Sequence, residues 1–452
     1  MIPVVTPEEM GEIDATAAEP VEVLIERAGA AVARTALGML GGSYGRRVVV
    51  VVGKGNNGND GRAAAVRLSR RGMSVQVIEA ADAPDRLPDV DLVIDAAYGT
   101  GFRGSWSAPD PGNAAVLAVD IPSGVDGLTG AAGDGVMPAD RTITFAALKP
   151  GLLLPPGSVF TGEVEVADIG LDVSGTRTHA VTVEDVRRWL LPRAVDAHKW
   201  HAATAVVAGS AGMTGAARLV TAAALRAGAG YVRLSIPGDA RDPGVPTEAV
   251  TRSLPPVSWA AAVAKDLDRF HALVIGPGLG RSDATTAEVR ELVAAAPSPV
   301  VVDGDGLFAL AWSADGAAAV LRPRSAPSVL TPHDGEFGLL AGRRPGPDRI
   351  ASVRSLAAQT GAVVLLKGPT TIVAEPRGRV LLSTTGDERL ATAGSGDVLA
   401  GIIGALLAQQ VPAFEAAAAG AWIHGAAAQR GPARGFLASD LPALLPPLLE
   451  TL

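Results

Sequence analysis

The chain has 452 residues, too many for one typical core, so its length argues for two or three domains. Hydrophobic residues make up 48% and charged ones 19%, which excludes a disordered chain, and a net charge of −8 leaves no broad basic surface for nucleic acid. With no cysteine there is no disulfide framework, thiolate nucleophile or Cys-ligated zinc.

The opening segment, MIPVVTPEEMGEID, lacks a basic region followed by an apolar one, so no signal peptide is expected. A helical pattern, VLIERAGAAVARTAL, precedes the β-branched run Val48–Val52, which reads as a buried parallel strand. VQVIEA, DLVIDA, AVLAVDIPSG and TITFAAL follow at the spacing of strand–helix alternation. Around Leu171–Thr182 the pattern lapses into a short polar stretch, taken as the linker between domains at 1–175 and 176–452. The second half restarts with AVVAGS, ALVIGPGLG, PVVVDGDGL, SVLTPHDGE and AVVLLKGPTTIVAEP, strands that run mostly into glycine-bearing loops between Ala-rich helices. Val398–Ala408 is apolar throughout but too short to span a membrane, and reads as buried helix. The tail LPALLPPLLE reads as a docked C-terminal segment. The fold class is therefore α/β in both halves, with a three-layer αβα arrangement in the first. A soluble, cytoplasmic enzyme without a membrane or nucleic-acid partner is expected.

Ligands bind at the carboxyl ends of strands in open α/β sheets, so the loops there carry the chemistry. Residues 53–58, GKGNNG, fit the dinucleotide pattern G-x-G-x-x-G, with Glu79 at the end of the next strand; GTGFRG at 99–104 fits it too. An ordinary dinucleotide turn offers bare backbone N–H groups to a pyrophosphate, whereas this one carries Asn56, Asn57, Asn59 and Asp60. Amide oxygens and a carboxylate suit a hard cation or a hydroxylated ligand better.

GKGNNGNDG, DAAYGTGFRG, AVDIPSGVDGLTG and TFAALKPG, in that order, resemble the YjeF N-terminal domain family of NAD(P)H-hydrate epimerases, TFAALKPG being similar to that domain's last strand. The resemblance implies a Rossmann-like fold and a hydrated nicotinamide dinucleotide, NADHX or NADPHX, as substrate. It implies K+ held by Asn57, Asp95 and Ser123. Substrate would be held by Asn56, Asn57, Gly58, Asn59 and Asp60, by Gly99, Thr100, Gly101, Phe102, Arg103, Gly104 and Ser105, and by Asp120. Asp120 and Lys149 are the candidates for proton transfer. Lys149 also reads as a solvated strand-end lysine, and Asp120 as an Asx turn before Pro122. Asn59 stands where the family usually has glycine; asparagine best tolerates a left-handed backbone should that position need one.

In the second half, TPHDGEF puts His333 beside two carboxylates, and KGPTT offers a lysine, backbone N–H groups and two hydroxyls to phosphates. TAGSGDVLAG sets Asp397 among glycines at a helix start, where aligned N–H donors attract anions. Small residues in the AGSAGMTGAA segment also read simply as close helix packing, and Asp397 as a helix cap.

The series HKW, AGSAGMTGAA, GPGLG, TPHDGE, KGPTT and TAGSGDVLAG resembles the ribokinase-like superfamily, in its NAD(P)H-hydrate dehydratase branch. Lys367, Gly368, Pro369, Thr370, Thr371 and Gly396 would contact ADP or ATP, with Mg2+ accompanying the nucleotide; Ala216, Gly278, Gly280, His333 and Asp397 would contact the hydrate. Asp397 would act as base on the ring hydroxyl. The expected function is cofactor repair: epimerisation of R and S hydrates by the first domain and nucleotide-dependent dehydration of the S form by the second. Fused enzymes of this type are expected to form homo-oligomers. Rival readings are a ribokinase-superfamily small-molecule kinase fused to a non-catalytic nucleotide-binding module, a scaffold, and an NAD-dependent dehydrogenase.

Overall fold

The structure, a computed structural model, describes residues 1–190, 192–238, 244–312 and 315–452. The chain divides into two compact units, Ile2–Thr178 and His179–Leu452, the second also taking Met1.

In the first unit, strands covered on both faces need no polar alternation, and the all-valine run shows why a parallel sheet forms here. Its strands are β1 (Arg47–Val52), β2 (Ser74–Glu79), β3 (Leu92–Ala96), β4 (Ala115–Val119), β5 (Arg141–Phe145) and β6 (Glu163–Ala167). They lie in the order β2-β1-β3-β4-β5-β6, all parallel. The helices are α1 (Pro7–Ala15), α2 (Val21–Leu40) and α3 (Asn56–Arg70). Val48, Val50 and Val52 meet α2 and α3 in one core, while Val49 and Val51 point the other way against Ala80, Leu87 and Met137. TITFAAL, expected to hold the last strand of this domain, yields β5 with β6 beyond it. The short segment EVEVA alternates and carries two glutamates, so it gives little of the apolar signal its neighbours give.

The second unit holds β7 (Ala203–Val207), β8 (Tyr231–Pro237), β9 (Val250–Leu254), β10 (Ala272–Ile275), β11 (Val300–Val302), β12 (Ser328–Leu330), β13 (Val363–Leu366), β14 (Thr371–Ala374) and β15 (Val380–Ser383). These run β15-β14-β13-β12-β11-β10-β7-β8-β9. The sheet is parallel from β13 to β9, and β13, β14 and β15 pair antiparallel. The principal helices are α4 (Thr214–Arg226), α5 (Asp283–Ala295), α6 (Asp305–Ala311), α7 (Asp334–Ala341), α8 (Arg349–Thr360), α9 (Ser395–Ala408), α10 (Ala413–Ala428) and α11 (Leu441–Leu449). Every residue of Val398–Ala408 is buried in α9, and α4, α10 and α11 join it in one core. Leu441, Leu445 and Leu448 dock the C-terminal tail there. No described helix is long and apolar enough to cross a membrane.

Two candidate active sites

In the first unit, β1 ends at Val52, just before Gly53, and α3 begins at Asn56, with Gly55 as its cap residue. The expected loop residues Asn56, Asn57, Gly58, Asn59 and Asp60 are therefore the opening turns of a helix. Asn59 sits there without a left-handed backbone, so the expected reason for asparagine does not apply. Gly58 is required by packing: a Cβ there would collide with the carbonyl oxygen of Gly53. Asp120, by contrast, does adopt positive φ, at 68°.

Asp120 is not an Asx turn. Its Oδ2 accepts the Thr100 N–H at 3.1 Å, and its Oδ1 lies 3.2 Å from the Thr144 hydroxyl and 2.8 Å from the Lys149 Nζ. Lys149 is not solvated either; at 1% exposure it is buried, donating to the Thr144 Oγ1 at 2.7 Å and the Phe145 carbonyl at 3.0 Å. Burial pushes the Asp120 carboxyl up, but the Lys149 ammonium and the bonds from Lys149, Thr100 and Thr144 outweigh it and hold the group below its ordinary value. Asp60 runs the other way: burial, then the charges of Asp120 and Asp14, push it up to about 8.

These groups share a cavity of about 460 Å³ lined by Asn56, Asn57, Asp60, Gly99, Thr100, Gly101, Phe102, Asp120 and Lys149. Gly58, Asn59, Arg103, Gly104 and Ser105 are not on its wall. Met10 and Asp14 of α1 are, as is Tyr98, whose ring lies 4.1 Å from Phe102 and 5.1 Å from Trp106, centroid to centroid. The sequence reading missed this wall. The capping box of Thr6 and Glu9 announced α1, but not where it would pack.

Beside the cavity, Asp95 and Ser123 are both buried and joined: the Ser123 N–H and hydroxyl donate to Asp95 at 2.9 and 2.7 Å. Burial raises the Asp95 carboxyl despite those bonds and one from the Ala97 N–H. The amide oxygen and nitrogen of Asn57 are buried with no partner, a costly state that a bound cation would relieve at the oxygen.

The second site gathers at the carboxyl ends of β10, β11, β12 and β13. Lys367, just past β13, sets its Nζ 2.6 Å from the Asp303 Oδ1 and 4.0 Å from the Glu336 Oε2. The Thr331 hydroxyl donates to the same Asp303 oxygen at 2.8 Å. Burial pulls the Lys367 ammonium down, but the Asp303 and Glu336 charges outweigh it and raise the group. Gly396, in the first turn of α9, faces this pair; a Cβ there would stand 3.0 Å from the Lys367 Nζ. One residue on, burial and then the Asp303 charge push the Asp397 carboxyl up to about 7, with Lys367 opposing. Gly394, with φ of 91°, turns the chain into α9.

Gly278 and Ala216 abut, a Cβ at Gly278 falling 3.0 Å from that of Ala216, and the Gly280 N–H donates to Asp305 at 2.9 Å. Gly368, Pro369 and Thr370 form the turn between β13 and β14, and Thr371 opens β14. His333 caps α7: its Nδ1 accepts the N–H groups of Gly335 and Glu336 at 3.0 and 3.2 Å, and the Nε2 of its exposed ring lies 3.7 Å from the Glu336 Oε2. Two residues escaped the sequence reading. Asp303 follows a three-valine strand in VVVDGDG, a position that signals a site residue. His424 is buried in the Ala-rich α10, and burial pulls its imidazole down to about 4 although it bonds to the Ser395 backbone.

The chain matches the NAD(P)H-hydrate dehydratase family over residues 204–447 and the YjeF-related protein N-terminus over 21–87 and 78–151. It is 36% identical to the bifunctional NAD(P)H-hydrate repair enzyme Nnr of Moorella thermoacetica, across 99% of this chain and 97% of that one. Against the enzyme of the same name from Mycobacterium tuberculosis the identity is 40%, over 84% and 82%. Among solved structures, the Bacillus subtilis ADP/ATP-dependent NAD(P)H-hydrate dehydratase co-crystallised with ATP and Mg2+ is 29% identical, with a TM-score of 0.52 over 60% of this chain and 97% of that one. A ribokinase-like protein from Enterococcus faecalis, at 21% identity and a TM-score of 0.52, shares the fold. With both halves matched and nearly full-length coverage, the chain belongs to the family of bifunctional NAD(P)H-hydrate repair enzymes.

Proposed function

We propose that residues 1–175 interconvert the R and S hydrates of NADH and NADPH, and that residues 176–452 dehydrate the S form at the expense of ADP or ATP. The observation that carries the second activity is Asp397 at the head of α9, beside the Lys367–Asp303 pair. Asp397 takes the proton of the ring hydroxyl, whose oxygen then attacks the terminal phosphoryl group. The N–H groups that open α9 and the Lys367 ammonium stabilise the charge that develops there. Phosphate then leaves with the hydroxyl oxygen, pushed by the ring nitrogen to an iminium, and loss of a proton from the adjacent ring carbon to solvent returns the carbon–carbon double bond.

Asp303, Asp305 and Glu336 all bear electrostatically on Asp397, so phosphates approach a site already rich in negative charge. Mg2+ bound with the nucleotide would supply neutralising charge there. In the first unit, Asn57, Asp95 and Ser123 would hold K+, whose charge fixes the loops around the hydrate; the unpartnered Asn57 oxygen supports this set. Asp120 and Lys149 handle the proton at the hydrate carbon, and the remaining residues on the cavity wall hold the dinucleotide.

Incubation of the full chain with mixed R and S NADPH hydrate and ADP or ATP should restore the absorbance of NADPH. Asp397→Asn should slow this by about 100-fold or more while R–S exchange continues. A stable phosphorylated hydrate accumulating instead would overturn the dehydratase reading in favour of a kinase.

A further inference from the structure

The cavity of the first unit holds more acid than its one cation balances. Asp14, Asp60 and Asp120 line it against the single ammonium of Lys149, while Glu19, also on the wall, pairs with Arg27 at 2.9 Å. The two carboxyls nearest the expected substrate loops are unequally served. Asp120 takes the ion pair with Lys149 and accepts hydrogen bonds from Thr100 and Thr144. Asp60, buried on α3, receives no hydrogen bond from a described residue, and faces the charges of Asp120 and Asp14. Like charges in one apolar-walled site push the two carboxyls into opposite protonation states.

We propose that Asp60 and Asp120 act as a donor and acceptor pair on the hydrated ring, and that the epimers interconvert by transient ring opening. This rests on the epimerase reading given above, keeps Asp120, gives the acid's part to Asp60 in place of Lys149, and leaves Lys149 to hold Asp120 ionised through their ion pair. The hydrate carbon bears both the hydroxyl and the ring nitrogen, so it is a carbinolamine, which loses its configuration as a sugar anomer does. Asp120 accepts the hydroxyl proton as the carbon–oxygen double bond forms. The carbon–nitrogen bond breaks, its electron pair goes to the nitrogen, and Asp60 protonates that nitrogen. Rotation about the adjacent carbon–carbon bond presents the other aldehyde face. Closure returns one proton to Asp60 and the other from Asp120 to the oxygen, so the protein ends each turnover as it began, without water or a further reactant. The pushed-up carboxyl of Asp60, at about 8, keeps its proton at neutral pH, while Asp120 stays ionised.

The test uses the full-length chain and R–S exchange of NADPH hydrate followed by chromatography. Asp60→Asn should lower kcat for exchange by about 100-fold or more with KM little changed. Dehydration of the pure S form by the other unit should be unaffected, and unchanged amide exchange of β1 to β6 reports that the variant's first unit folds. Wild-type exchange should fall as pH rises through about 8, and the variant's residual rate should lack that limb. Exchange in ¹⁸O-water should leave the hydroxyl oxygen unlabelled. A raised KM with unchanged kcat, a surviving alkaline limb in the variant, or label entering at each turnover would overturn the pair or its route. Absence of exchange in the wild type above the spontaneous rate would instead overturn the epimerase reading itself.

Discussion

Asp397 shows how burial and neighbouring charge tune one carboxyl toward the role of base proposed for it. A base is most useful when its pKa lies near the working pH, and burial beside Asp303 puts this one at about 7. A base works only when deprotonated, so kcat/KM for dehydration is expected to rise with pH through about 7 and level off above it. Stopped-assay rates across the pH range check this; a flat profile would remove Asp397 from the role. The same shift has a stability cost of opposite sense. The folded state holds a proton that the unfolded chain, with an ordinary aspartate, releases above about pH 4. Stability therefore falls as pH rises from there through about 7, and Asp397→Asn is expected to raise Tm at pH 8 but not at pH 4. Differential scanning fluorimetry at the two pH values reads the difference.

At the scale of elements, the first site is built on a joint of a parallel strand, glycines and a helix whose first turn carries the polar groups, and Asp303, Gly304 and Asp305 repeat it in the second, whereas α9 follows the antiparallel β15 across a loop. The joint tolerates little added bulk. Gly58→Ala would drive a methyl into the Gly53 carbonyl and is expected to destabilise the first unit by about 1–3 kcal/mol, read from urea unfolding. His333→Ala removes the side-chain cap of α7 and is expected to cost about 1 kcal/mol, along with any contact from the exposed imidazole edge. The helix starts were visible as glycine-rich runs, but their extent was not. Asn56 to Asp60 read as loop because asparagine, aspartate and glycine are poor helix formers. Tertiary packing of α3 against α2 and the sheet overrides that preference.

At the scale of the whole molecule, each unit has its own core, and the two chemistries are housed in separate units. A Mg-nucleotide that binds only the second unit should therefore protect its strands from amide exchange, by about 2.7 kcal/mol at a hundredfold excess over Kd. The amides of β1 to β6 should stay unchanged; equal protection in both units would argue against separate housing. What the sequence determined by itself was local and periodic. Apolar runs specified buried parallel strands, and ordered motifs marked Asp120, Lys367 and Asp397 as site residues. Their chemical state was decided only by the fold. Lys149 lies a few residues after its strand, where a lysine would ordinarily be solvated, yet it is buried against Asp120. Asp303 stands 64 residues before Lys367 and becomes its counter-ion. Asp60 and Asp120 come from helices and strands far apart in the chain, and only their meeting in one desolvated cavity drives their protonation apart. Burial and through-space charge are properties of the packed chain, because both depend on distances that no run of residues contains.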